Sequence, residues 1–125
     1  MLSYDHTFLP PAPFVEAAVI HPLHTERRRP VRMQLDTGAD VCVLSETLIK
    51  ALNLEPNREI VVEGYDGIAH RVETYLVIIE VEGYRLEGIE VIASPIKDHL
   101  LGRNVLNHFT ITLKGKDLSF EIADP

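Results

Sequence analysis

Apolar and polar residues alternate along most of this chain, and proline, glycine or a polar cluster interrupts the alternation at short intervals. Period-two alternation places side chains on opposite faces of an extended strand, so the pattern predicts many short strands. Phe14–Ile20 and Val31–Leu35 read as two of them, joined by the polar, proline-bounded turn from His21 to Pro30. Val41-Cys42-Val43-Leu44 is a continuous apolar run and fits a strand buried on both faces. Ser45 then suits the N-cap of a helix over about Glu46–Leu52, with Leu48, Ile49 and Leu52 on one face and Pro56 closing the segment. Alternation resumes at Ile60–Tyr65 and Ile68–Tyr75 around Asp66-Gly67, a favoured two-residue hairpin turn. Leu76–Val81 and Arg85–Ile92 read as further strands. A short helix is expected near Val105–Phe109, and Thr110–Leu113 should pair with Leu118–Ile122. The opening through Pro10-Pro11-Ala12-Pro13 is expected to be loosely ordered, because proline biases itself and its predecessor away from helix. Seven or eight short strands punctuated in this way predict a mainly β, closed or folded-over sheet with one or two short helices.

At 125 residues the chain suits one domain, residues 1–125, with a modest core. A net charge of -7 gives no support to a nucleic-acid partner, and no apolar run approaches the ~20 residues that span a membrane. The first residues lack the basic-then-apolar pattern of a signal peptide. A single cysteine, Cys42, excludes an internal disulfide and fits a reducing compartment, so a cytoplasmic location is expected. Cys42 itself reads as an inert core thiol. The basic run Arg27-Arg28-Arg29 reads as a solvated turn, and the spacing of the six histidines matches no zinc signature, so neither a metal nor a cofactor is expected.

The strongest chemistry lies at the end of the Val31–Leu35 strand, where Asp36-Thr37-Gly38-Ala39-Asp40 delivers a carboxylate onto a tight turn. A fainter echo follows 64 residues later (102 − 38), where Leu100-Leu101-Gly102 again leads from an apolar strand through a glycine turn into a helix. Together these stretches resemble the retropepsins, the retrovirus-type aspartic proteases. Leu35-Asp36-Thr37-Gly38-Ala39-Asp40 with Val41–Leu44 is similar to their active-site strand. Leu100-Leu101-Gly102-Arg103-Asn104 is similar to their second signature, and Gly64-Tyr65-Asp66-Gly67 falls where the family keeps its flap. The likeness runs from about Val31 to Leu113 and is nearer to small cellular or bacterial members than to a polyprotein fragment.

The resemblance implies a retropepsin-like acid-protease barrel acting as a homodimeric aspartic endopeptidase on an extended peptide. Asp36 and its counterpart from a second copy would share a proton and activate water. Thr37 would lock the two loops across the axis, and Gly38 would let the backbone reach the substrate. Asp40 and Arg103 would form a partly buried ion pair bracing the loop. The sequence differs from retroviral members in two places. Phe14–Ile20 carries no arginine to reach the partner, a role Arg27–Arg29 could take from another direction. The flap lacks a glycine-rich tip, and Tyr65 there fits either a substrate contact or hairpin packing. The rival reading is a non-catalytic dimer of the same fold that binds an extended peptide or scaffolds partners; the intact Asp36-Thr37-Gly38 favours the enzyme.

Overall fold

The alternating segments form ten strands among the residues that the computed structural model describes, 1–64, 66–95 and 99–124. In chain order they are β1 (Leu2–Ser3), β2 (Phe14–Ile20), β3 (Arg28–Leu35), β4 (Cys42–Ser45), β5 (Pro56–Glu63), β6 (Ala69–Val81), β7 (Tyr84–Ser94), β8 (Leu100–Leu101), β9 (Thr110–Lys114) and β10 (Ser119–Ala123). Helix α1 (Glu46–Ala51) follows β4, and α2 (Arg103–Leu106) follows β8. The strands and two short helices give the mainly β, closed sheet that the alternation predicts.

Seven strands lie in the order β2-β3-β8-β4-β7-β6-β5, and an extra pairing of β2 with β6 closes six of them into a ring. Strand β6 makes this possible by changing partner along one edge. Its first half pairs with β5, ending at Tyr75 opposite Pro56, and its last residues, Ile78 to Val81, pair with Ile20 to Ala17 of β2. Its other edge pairs with β7 from Thr74 to Val81. The sequence pattern divides this stretch into two strands, but no Pro or Gly interrupts residues 69–81, and the chain runs through as one 13-residue strand. The bend is supplied from across the ladder. Val77 faces Ile89 and Ile79 faces Leu86, so β7 carries one extra residue there, with Gly88 at φ 65°. Such a bulge increases local twist and favours glycine in the left-handed region.

Inward-facing side chains fill the ring: Val15, Val19, Met33, Leu44, Val77, Ile79, Val91 and Leu101 are all essentially without solvent exposure. Helix α1 covers one side with Leu48 and Ile49, and Ser45 caps it by accepting a hydrogen bond from the Leu48 amide at 3.2 Å. Pro56 does not merely end the helical region. It opens β5, the sheet's outermost strand, where a missing N–H is tolerated.

The opening segment is held more closely than its prolines suggest. Leu2 and Ser3 pair with Phe120 and Ser119, and β1, β10 and β9 form a second, three-stranded sheet. Asp5 and Ala12 exchange backbone hydrogen bonds at 2.7 and 3.2 Å. Tyr4 packs on Phe120, Phe8 stacks on Phe14 with ring centroids 4.6 Å apart, and Arg32 reaches Asp5 at 2.8 Å. Proline sets local backbone angles, but Phe14 nearby and Arg32, Ser119 and Phe120 further along the chain set the segment's course.

Candidate active site

Strand β3 delivers Asp36 beside β8. Gln34 and Leu35 run parallel to Leu100 and Leu101, and the Asp36 amide donates to the Leu101 carbonyl at 3.0 Å. The chain then turns back on itself: the Gly38 amide donates to Oδ1 of Asp36 at 2.9 Å, and the Ala39 amide donates to the Asp36 carbonyl at 3.2 Å. A Cβ at residue 38 would stand 3.1 Å from that Oδ1, so glycine lets the amide approach the carboxylate without crowding it. Asp36 is half-buried, whereas Thr37 and Gly38 are exposed.

The second glycine turn packs directly against the first. The Arg103 amide donates to the Ala39 carbonyl at 2.9 Å, and Arg103 Nη1 donates to the Thr37 carbonyl at 2.6 Å. Arg103 Nη2 pairs with the Asp40 carboxylate. Asp40 and Arg103 are thus brought together as expected, but the pair is not buried in this chain: the Asp40 side chain is 85% exposed and that of Arg103 42%. Asp40 projects outward from the loop because its backbone neighbour Ala39 takes the inward contact with Arg103. The two partners therefore differ in weight. Asp40→Ala should cost at most about 0.5 kcal/mol, the range of a solvent-exposed pair. Arg103→Ala should cost about 1–2 kcal/mol, because the Thr37 carbonyl also loses a charged donor. Urea unfolding of both variants checks this; equal costs would remove the loop-bracing role from Arg103.

Asn104 and Cys42 hold the site in a way that motif reading passes over. The Cys42 amide and thiol both donate to Asn104 Oδ1, at 3.1 and 3.3 Å, and the Gly102 amide donates to the Cys42 sulfur at 3.3 Å. Asn104 Nδ2 in turn donates to the Glu90 carbonyl at 2.8 Å, so one amide side chain joins β4, α2 and β7. Burial pushes the Cys42 thiol up to about 11, leaving it protonated and able to donate. The available signal was position: Asn104 directly follows Gly102-Arg103 in an otherwise apolar stretch.

The Glu90 side chain ties the same region to the hairpin strands. Arg58 on β5 grips it at 2.7 and 2.8 Å, and the fully buried Thr74 hydroxyl donates to it at 2.7 Å. The Arg58 bonds first, and the Thr74 bond second, hold its pKa down to about 2, against 4.5 for an ordinary glutamate. Because the folded value is the lower one, the unfolded chain takes up the proton first. This stability is present above pH 4.5 and lost as pH falls toward 2. The gap in melting temperature between the wild type and Glu90→Gln should therefore be largest near neutral pH and narrow over that window. A gap independent of pH would overturn the assignment.

Between the Asp36 loop and the β5–β6 hairpin lies an open cleft of about 570 Å³. Val43, Ile92 and Leu100 line its base, and Val62, Val72 and His70 line the hairpin side. The hairpin ladder ends at Glu63 opposite Ala69, so residues 64–68 form the connection, a longer loop than the two-residue turn the pattern predicts. Asp66 shapes it by accepting the Ile68 amide at 2.9 Å, and Gly67 takes φ 73°. Of the expected flap residues, Gly64 lines the cleft; Asp66 and Gly67 lie in the connection beyond it, and Tyr65 lies outside the described residues. Arg28 and Arg29 sit at the opposite end of β3, about 25 Å of strand from Asp36. Arg28 is engaged there by Glu80 of its own chain at 2.5 Å.

Among the described residues no three His, Cys, Asp or Glu side chains converge as a metal site would require. Nδ1 of the buried His21 accepts the amides of Leu23 and His24, each at 3.1 Å. Among the described residues no helix is long and apolar enough to cross a membrane.

Residues 25–108 match the family model described as "gag-polyprotein putative aspartyl protease". The fold resembles a retropepsin-like aspartic protease from Rickettsia conorii, with TM-score 0.66, 15% identity, and 98% of this chain and 90% of that one covered. It also resembles the protease of simian foamy virus (TM-score 0.56, 21% identity), covering 76% of this chain and 92% of that one. The protease of EIAV, solved with the inhibitor HBY-793, is similar at TM-score 0.51 and 26% identity, covering 77% of this chain and 86% of that one. A search of curated protein sequences returned no significant match.

Proposed function

Since the chain belongs to the gag-type aspartyl protease family, we propose that it is an aspartic endopeptidase whose active site forms between two copies, with one Asp36 from each. The observation that carries this reading is the placement of Asp36. It is half-buried at the end of β3, its Oδ1 is held by the Gly38 amide, and it opens onto an apolar cleft roofed by a β-hairpin. A single loop supplies one such carboxylate, and the chemistry needs two. The exposed Thr37 and Gly38 leave the loop free to meet its copy about a two-fold axis.

Two carboxyls a few ångströms apart cannot both ionise cheaply, so the pair holds one proton; aspartic proteases are the standard example. The ionised Asp36 takes a proton from water as the water oxygen bonds to the scissile carbonyl carbon. The protonated Asp36 gives its proton to the carbonyl oxygen, so a neutral tetrahedral diol forms. One Asp36 then returns a proton to the amide nitrogen while the other takes the proton of a diol hydroxyl, so the C–N bond breaks as the C=O bond re-forms and the amine and carboxylic acid are released. No covalent enzyme intermediate is formed. Gly38 holds the active Oδ1 in place, and its exposed backbone can bond an extended substrate as an added strand. Thr37 is assigned to cross-axis locking of the two loops, while its carbonyl is held from behind by Arg103. The deciding experiment is peptide hydrolysis by the wild type and Asp36→Asn. Hydrolysis that survives the substitution overturns the reading, and peptide binding without any hydrolysis returns the rival, non-catalytic reading.

A further inference from the structure

Each basic side chain of the β5–β6 hairpin has a carboxylate of its own. Arg58 grips Glu90 at 2.7 Å, Arg71 lies 3.6 Å from Glu59, and Nε2 of His70 lies 3.5 Å from Oδ2 of Asp66. Glu63 is left over. It closes β5 opposite Ala69, a side chain too short to cover it, and it is exposed with no ion pair among the described residues. It also lines the cleft beside Val62 and across from Asp36. Strand parity would group Glu63 with Val61, but β5 ends at this residue and Gly64 begins the connection, so Glu63 borders the mouth of the cleft. No lysine or arginine lines the cleft among the described residues. Any charge on His70 is matched by Asp66, which the Ile68 amide fixes at 2.9 Å. The charge balance of the cleft therefore falls to Glu63 and Asp36. Two copies meeting at Asp36 repeat every lining residue, giving two Glu63 carboxylates around a pair that itself carries one negative charge.

We propose that Glu63 is a specificity-determining residue that selects peptides carrying a lysine or arginine side chain, an inference that rests on the cleft being the peptide site. Val62, Val72 and Ile92 offer an aliphatic wall to the methylenes of such a side chain, while its charged head stays at the mouth beside Glu63. A charged donor bonds a carboxylate more strongly than a neutral amide does. A glutamate side chain there meets like charge, and leucine fills the wall without answering it. Part of the preference acts before contact, because an acidic mouth draws basic peptides toward it, and salt screens that attraction.

Asp36→Asn serves as the binding protein. It removes the charge of the carboxyl pair together with hydrolysis, so any remaining preference for a cation belongs to the walls. Fluorescent peptides carry Lys, Gln, Leu or Glu at each position in turn. At one position or more, Lys should bind about five-fold more tightly than Gln or Leu, and the gap should narrow as salt is raised. Adding Glu63→Gln should erase it. The proposal is overturned if no position prefers Lys, if the preference survives Glu63→Gln or ignores salt, or if no peptide binds. Wild-type cleavage of the same peptides distinguishes the two levels. Cleavage indifferent to Lys sinks the role of Glu63 and leaves the protease reading intact. Lys-dependent binding without cleavage does the reverse.

Discussion

Asp36→Asn removes peptide hydrolysis, with kcat/KM falling at least about 10³-fold, because the substitution deletes both the base that takes the proton from water and the site of the shared proton. The change is nearly isosteric. The replacement carboxamide can still accept the Gly38 amide through its oxygen, a bond of 2.9 Å in the native loop, so fold and melting temperature should stay close to the wild type. The sharper result comes from mixing. If each site takes one Asp36 from each chain, adding an equal amount of Asp36→Asn to a fixed amount of wild type leaves about half the starting activity once subunits have exchanged randomly. Two wild-type chains then meet in one dimer of four, among twice as many dimers. A site complete within one chain would lose nothing on mixing, and that outcome would overturn the two-chain site while leaving the catalytic role of Asp36 in place. Dilution should act in the same direction, lowering specific activity once the concentration falls below the dissociation constant.

Gly102→Ala should be the most damaging single-methyl change in the molecule. The added Cβ would lie 2.6 Å from both the carbonyl carbon and oxygen of Val41 and 3.0 Å from the Ala39 carbonyl oxygen. These are backbone atoms of the loop that carries Asp36, and Ala39 is held there by its hydrogen bond from the Arg103 amide. A flexible side chain could swing aside, but here two chain segments must separate. The expected loss is about 3 kcal/mol or more, at the upper end for overpacking. Urea unfolding should show a lower midpoint with an unchanged slope. Gly115 is the internal control, since a Cβ there meets nothing within 4 Å, and Gly115→Ala should be close to neutral. If Gly102→Ala unfolds within about 0.5 kcal/mol of the wild type, the close packing of the two turns is not a stability determinant.

The part of this site that could be read from sequence is the part written in contiguous residues. Asp36-Thr37-Gly38 and Leu100-Leu101-Gly102 each announce a strand entering a glycine turn, and their parallel pairing brings the two together. The capped helix after Ser45 and the β9–β10 hairpin were legible for the same reason, because local chemistry determines them. What stayed hidden depends on partners distant in sequence. Asn104 closes the second signature, but its role is hidden until Cys42, 62 positions earlier, and Glu90, 14 earlier, are folded against it. The exposure of Asp40 was hidden likewise, because spacing can pair two charges but cannot say which side of a loop faces water. The continuity of β6 was obscured by a bulge that lies in a different strand. In the first residues proline signals only local backbone angles, and the pairing of Leu2 and Ser3 with Phe120 and Ser119 depends on the far end of the chain.

That unbroken strand has a mechanical meaning. β6 begins at the edge of the cleft at Ala69 and ends inside the barrel at Val81, paired there with β2. The hairpin is therefore a cantilever rather than a door. Its root is clamped between β2 and β7, its free arm carries Val72 and His70 over Asp36, and the bulge at Gly88 marks the fulcrum. In the proposed enzyme, whatever displaces the arm over Asp36 is resisted by the same ladder that closes the barrel.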